Sequence, residues 1–67
     1  MNTKEAPERR LTDISGVSQY LRVSVNTTYG WVFRRKLPFF KVGRLLRFDL
    51  DDIDAWLTER KTDPVEV

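Results

Sequence analysis

Arg22, Arg34, Arg35, Lys36, Lys41, Arg44 and Arg47 lie in a stretch, Ile14 to Phe48, that contains no acidic residue and so carries +7. From Asp49 onward the sign reverses. Asp49, Asp51, Asp52, Asp54, Glu59, Asp63 and Glu66 against Arg60 and Lys61 leave −5, and the whole chain totals +2. A basic middle followed by an acidic end implies an anionic partner for the middle. Set among the cations are Asn26 and Thr27, whose amide and hydroxyl groups can hydrogen-bond base edges. The chemistry these side chains offer is binding.

Catalysis and metal chemistry have little to stand on. The chain has no histidine and no cysteine, so it offers no imidazole base, no thiolate, no disulfide and no His/Cys metal site. The aspartates from Asp49 to Asp54 form a cluster, but helix capping and the macrodipole account for carboxylates there. No matched acid–base partner stands beside them. The expectation is a protein without enzymatic activity, cofactor, metal or small-molecule substrate. There is no long apolar run, and the N-terminus lacks the apolar stretch of a signal peptide. A soluble cytoplasmic protein with no membrane partner is expected.

The elements that position these residues can be read from spacing. Sixty-seven residues hold one domain at most. Residues 1–11 read as a flexible N-terminal segment, residues 12–60 as the folded domain and residues 61–67 as a flexible tail. Ile14, Val17, Ser18 and Leu21 recur at helical spacing behind Asp13 or Thr12, either a suitable N-cap. Ser24 offers a second N-cap, opening a helix from Val25 to Arg34. Two short helices so close together make a helix-turn-helix pattern.

Pro38 stops the second helix, and a β-hairpin follows. A three-residue loop at Gly43-Arg44-Leu45 would pair Val42 with Leu46, Lys41 with Arg47 and Phe40 with Phe48, placing the four apolar residues on one face. It would also set Lys41 opposite Arg47, a like-charge pair that a nearby polyanion would relieve. A last helix begins at Asp49 and carries the stripe Leu50, Ile53, Trp56 and Leu57.

On a wheel of the second helix, Thr28 and Val32 point together, flanked by Val25 and Trp31, as the buried side. Asn26, Gly30, Phe33 and Arg34 lie opposite, with Thr27 at the edge. That is the arrangement a recognition helix needs, with a core face and a polar N-terminal half. Phe33 is read as packing on the hairpin, with a base contact as the alternative. Tyr29 lies beside the groove-facing stripe, where it could donate to a phosphate or stay half in the core. Gly30 reads equally as a point of close backbone approach and as a tolerated exposed glycine. Arg44, at the hairpin tip, has little core to pack on, and Leu45 beside it is apolar where solvent is expected.

Tyr20-Leu21-Arg22-Val23-Ser24, Thr27-Thr28-Tyr29-Gly30-Trp31-Val32, Lys36-Leu37-Pro38, Lys41-Val42-Gly43, Arg47-Phe48 and Asp52-Ile53-Asp54-Ala55-Trp56-Leu57 together resemble the excisionase-type DNA-binding domain of the MerR superfamily. The resemblance covers roughly residues 12–60. It implies a mainly α, α+β fold: a winged helix-turn-helix of two short helices, a two-stranded hairpin wing and a C-terminal helix. It also implies DNA contacts from Asn26, Thr27, Tyr29 and Gly30 on the recognition helix and from Lys41, Arg44 and Arg47 on the wing. To these the residues themselves add Val25 and Arg34 on the helix, with Arg22, Arg35 and Lys36 as further phosphate contacts. Arg22 and Arg35 stand where the family often has glycine. Gly30 replaces a usually polar or basic residue, as does Leu45.

The function so implied is that of an excisionase, a recombination directionality factor of a phage or mobile element in a bacterial host. It would bind and bend attachment-site DNA so that an integrase excises. The expected partners are double-stranded DNA, a site-specific integrase and neighbouring copies of the chain on DNA. The alternative is a small transcriptional regulator using the same domain. A MerR-type regulator would normally add a dimerisation helix and an effector domain, for which residues 58–67 are too few.

Overall fold

The computed structural model describes residues 9–62. In order they form β1 (Leu11–Thr12), α1 (Ile14–Leu21), α2 (Val25–Phe33), β2 (Phe40–Val42), β3 (Leu45–Asp49) and α3 (Leu50–Glu59). Each helix opens on a residue whose side chain accepts one of the first free N–H groups. Asp13 Oδ1 accepts from Gly16 at 2.9 Å, Ser24 Oγ from Thr27 at 3.1 Å, and Asp49 Oδ1 from Asp51 at 3.0 Å. These groups have no partner inside the helix, so a short polar side chain just ahead of it is the local solution.

The helix ends are closed by arginines in a conformation that suits glycine. Arg22, after α1, has φ 62°, and Arg35, just past α2, has φ 57°. Around Arg22, its own N–H reaches Gln19 O and that of Val23 reaches Ser18 O; around Arg35, its N–H reaches Val32 O and that of Lys36 reaches Trp31 O. Both are Schellman closures, which need a left-handed residue. Holding a side chain there costs about 1–2 kcal/mol per position. The two departures from the family's glycines therefore leave the cap geometry intact and strain it.

The sheet has three antiparallel strands in the order β1-β3-β2, one more than the expected two-stranded wing. Leu11 pairs with Asp49 and Thr12 with Phe48. Two residues are too short a run to show a period of two. Contacts also extend ahead of β1: Leu50 N–H donates to Arg10 O at 3.0 Å, and Arg9 and Arg10 form ion pairs with aspartates of β3 and α3. The rest of the two expected flexible ends, residues 1–8 and 63–67, lies outside the described residues.

The hairpin register differs from the one the apolar pattern suggested. Phe40 faces Arg47, Lys41 faces Leu46 and Val42 faces Leu45, around a two-residue turn. Gly43 takes φ 65° at the first turn position, as a type II′ turn requires, and that turn's twist matches the strands it joins. Lys41 and Arg47 therefore sit on opposite faces, and the expected like-charge pair does not form. Nor do the four apolar residues share a face. Leu46 and Phe48 point to the core, while Phe40 and Val42 share the other face with Arg47 and Leu45, and Val42 and Leu45 are each more than half exposed. β3 is the central strand, with Phe48 paired to Thr12 of β1 rather than to Phe40.

Val17, Val32, Leu37, Phe48 and Ile53 form the buried core, with Ile14, Leu21, Trp31, Phe39, Leu50 and Trp56 packed around it. α1 and α2 are also joined by a buried hydrogen bond between Ser18 and Thr28, 2.7 Å long. Phe33, expected to pack on the hairpin, is instead 86% exposed at the end of α2. The hairpin's core side is already filled by Leu46 and Phe48.

Candidate nucleic-acid interface

The polar N-terminal half of α2 faces outward. Thr28 is fully buried, whereas Val25, Asn26, Thr27 and Tyr29 are exposed. Ser24 holds this end in place by accepting from Thr27 N–H while donating its own hydroxyl proton to Thr27 Oγ1 at 2.9 Å. At Gly30 an added Cβ would meet nothing closer than Arg34 Nη1 at 3.7 Å, an ordinary contact. Packing within the chain therefore does not require glycine there.

Between the end of α2 and the wing runs an open groove. Tyr29, Phe33, Arg35, Lys41, Arg44 and Arg47 line it, over a floor that includes Val32, Phe39 and Leu46. Its one acidic neighbour is Asp13, whose carboxylate is committed to the α1 cap. Arg47 Nη1 donates to Leu46 O at 2.7 Å, holding its guanidinium against the strand. A groove lined by cations between a helix and a wing suits a phosphate backbone, with base edges met by the helix itself.

The ion pairs sharpen this picture. Arg9 Nη1 meets Asp49 at 3.0 Å, and Arg10 Nη2 meets Asp51 at 2.8 Å and Asp54 at 2.9 Å. Arg60 and Glu59 lie 3.8 Å apart. Tyr20 adds a hydrogen bond from its hydroxyl to Asp54. That bond, joined by the Arg10 guanidinium, holds the Asp54 carboxyl below its usual range, while Asp54 pushes the Tyr20 hydroxyl up. Hydrogen bonding to Asp51, followed by Asp54, raises Arg10. Asp49, Asp51 and Asp54 are thus answered by arginines from the N-terminal segment. Among the described residues, no carboxylate pairs with any of the seven cations between Arg22 and Arg47.

The sequence-derived contact residues do not all gather in one place. Tyr29, Arg35, Lys41, Arg44 and Arg47 share the groove, while Val25, Asn26 and Thr27 lie at the start of α2. Arg34 is exposed and close to Gly30. Arg22 occupies the turn after α1. Lys36 lines a different surface, with Trp31 and Trp56. Phe33, read from the sequence as a hairpin-packing residue with a base contact as the alternative, lines the groove with its ring exposed. Among the described residues no three His, Cys, Asp or Glu side chains group as metal ligands, and no helix is long and apolar enough to cross a membrane.

Two short helices with a buried contact across their turn, an exposed polar second helix and a cationic wing define a DNA-binding winged helix-turn-helix domain. Residues 13–61 match the helix-turn-helix domain family, and the chain belongs to that family. No curated protein and no solved structure matches it.

Proposed function

We propose that the chain is an excisionase-type architectural protein that binds and bends attachment-site DNA so that an integrase works toward excision. The observation that carries the DNA contact is the set of cations Arg35, Lys41, Arg44 and Arg47, gathered in the groove between α2 and the wing with no carboxylate partner among the described residues. The excisionase reading rests on the combined motifs, chiefly Thr27-Thr28-Tyr29-Gly30-Trp31-Val32 and Lys36-Leu37-Pro38.

In this reading α2 enters the major groove. Asn26 reads adenine, and Thr27 and Arg34 supply further base or phosphate contacts. Lys41, Arg44 and Arg47 hold the backbone and the adjacent minor groove, while Arg22 and Arg35 neutralise flanking phosphates; Lys36, expected among them, lies on the other surface with Trp31 and Trp56. Gly30 lets the helix backbone approach closely, Tyr29 donates to a phosphate, and Val25 meets the DNA at the start of the helix. One domain contacts few bases, so neighbouring copies on DNA supply the rest. The exposed pair Val42 and Leu45 at the wing tip is apolar surface suited to such a neighbour.

Sedimentation of the free protein, gel shifts on one and on several tandem sites, and a bend assay test this together with an integrase reaction. A free monomer is expected, with cooperative binding to tandem sites, a bent duplex and excision that depends on the protein. A tight free dimer that binds one palindrome without bending it would make the chain a small transcriptional regulator instead.

A further inference from the structure

A second groove shares no lining residue with the one between α2 and the wing. Its apolar surface is built by Leu21 and Val23 at the turn, Trp31 of α2, and Trp56 and Leu57 of α3. The two indoles lie 5.5 Å apart and tilted by 52°, and Leu57 is 42% exposed. Lys36 and Arg60 complete the lining, and no acidic residue joins them. The Arg60 guanidinium stands 4.3 Å over the Trp56 ring and donates to Trp56 O. Its only ion pair among the described residues is the long, exposed contact with Glu59, and Lys36 has none. Such a surface pair holds little free energy, so Arg60 remains available. The opposite sign gathers earlier on α3, at Asp51, Asp52 and Asp54.

Half-buried aromatic and aliphatic side chains beside the exposed Leu57, with cations at their edge, are the makings of a peptide-binding hot spot. DNA suits the surface less well. Arg60 covers one face of Trp56, the two rings are tilted rather than coplanar, and Trp56 Nε1 is already spent on Lys36 O. Base stacking needs an open ring face, and two cations answer few phosphates. We infer that this groove docks an acidic peptide segment bearing a large apolar side chain, presented by a partner protein while α2 and the wing hold DNA. The apolar side chain lies on Trp31, Trp56 and Leu57, and flanking carboxylates meet Lys36 and Arg60. Such charge complementarity orients the segment and excludes basic ones.

The full chain, immobilised, is the bait for a random linear-peptide display library, and enriched peptides are synthesised and their affinities measured. Enrichment of acidic sequences with Leu, Phe or Trp is expected, and duplex DNA should not displace them. Leu57→Ser and Arg60→Gln should each weaken these peptides about tenfold, the loss of one hot-spot contact. Both variants should bind DNA nearly as the parent does. Thermal melting checks the fold of Leu57→Ser, and Arg60→Gln, an exposed change, carries the test if that variant is unstable.

The inference is overturned by no enrichment, or by peptides indifferent to both substitutions. It is equally overturned if Leu57→Ser and Arg60→Gln weaken DNA as strongly as Arg44→Ala does, since the surface would then belong to DNA. Self-association abolished by Leu57→Ser would assign the groove to a second copy and likewise exclude it.

Discussion

Ser18 of α1 and Thr28 of α2 are both buried and share a 2.7 Å hydrogen bond across the turn that joins the two helices. Thr28 Oγ1 also donates to Ser24 O at 3.2 Å. Its single proton is therefore used, and Ser18 is the donor in the shared bond. The interaction locks the angle between the helices and so the presentation of α2.

Removing one member leaves the other hydroxyl buried without its partner. Thr28→Val or Ser18→Ala should each cost about 1–3 kcal/mol, whereas the double substitution should cost less than their sum. Denaturant melts of the four proteins measure this directly. Simple additivity would show that the hydroxyls do not act as a pair.

Relieving the left-handed arginines should have the opposite effect. Arg22→Gly and Arg35→Gly should each stabilise the free protein by about 1 kcal/mol, the strain released less the entropy glycine adds to the unfolded chain. In a domain this small that raises Tm by about 4–8 °C. Alanine at either position keeps the Cβ and should give no comparable gain. Arg35→Gly should also weaken DNA binding, because Arg35 lines the groove.

The Arg10–Asp54–Tyr20 cluster predicts a pH dependence. Asp54 is depressed in the folded state, so its contribution is present above the ordinary carboxylate value of about 4 and is lost as pH falls through the lower folded value. Tyr20 is raised, so its contribution is present below about 10 and is lost as pH rises through the folded value. All three groups are exposed, so the effects are small. Tyr20→Phe should flatten both limbs of a Tm-versus-pH profile. An acid limb unchanged in Tyr20→Phe and in Asp54→Asn would locate the dependence elsewhere.

On DNA, helix and wing should behave differently. Engagement of roughly five to seven phosphates predicts a log–log salt slope of about −4 to −6, and Arg44→Ala should reduce its size by about 0.9. Asn26→Ala should lose about 1–3 kcal/mol of discrimination at one base pair, while Lys41→Ala and Arg47→Ala weaken all sequences alike. Because Lys41 faces Leu46, neither wing substitution should add stability by relieving repulsion. A slope near zero, or specificity lost only from the wing, would overturn this division.

The sequence alone determined where the second and third helices begin, at the caps Ser24 and Asp49, and narrowed the first to Thr12 or Asp13, of which Asp13 caps it. It also determined the charge segregation and the buried side of α2, where periodicity placed Thr28 and Val32 in the core. Only the tertiary structure decided that Leu11–Thr12 joins β3, because a two-residue strand has no period and exists through its distant partner. The hairpin register was decided there as well. The apolar pattern favoured a three-residue loop, but the Gly43 turn and a central strand whose Leu46 and Phe48 face the core fix a two-residue one. Phe33 and Lys36 follow the same logic. Their neighbours in the chain do not tell which surface each joins; the docking of the wing and α3 against α2 does, since those contacts are made between elements far apart in sequence.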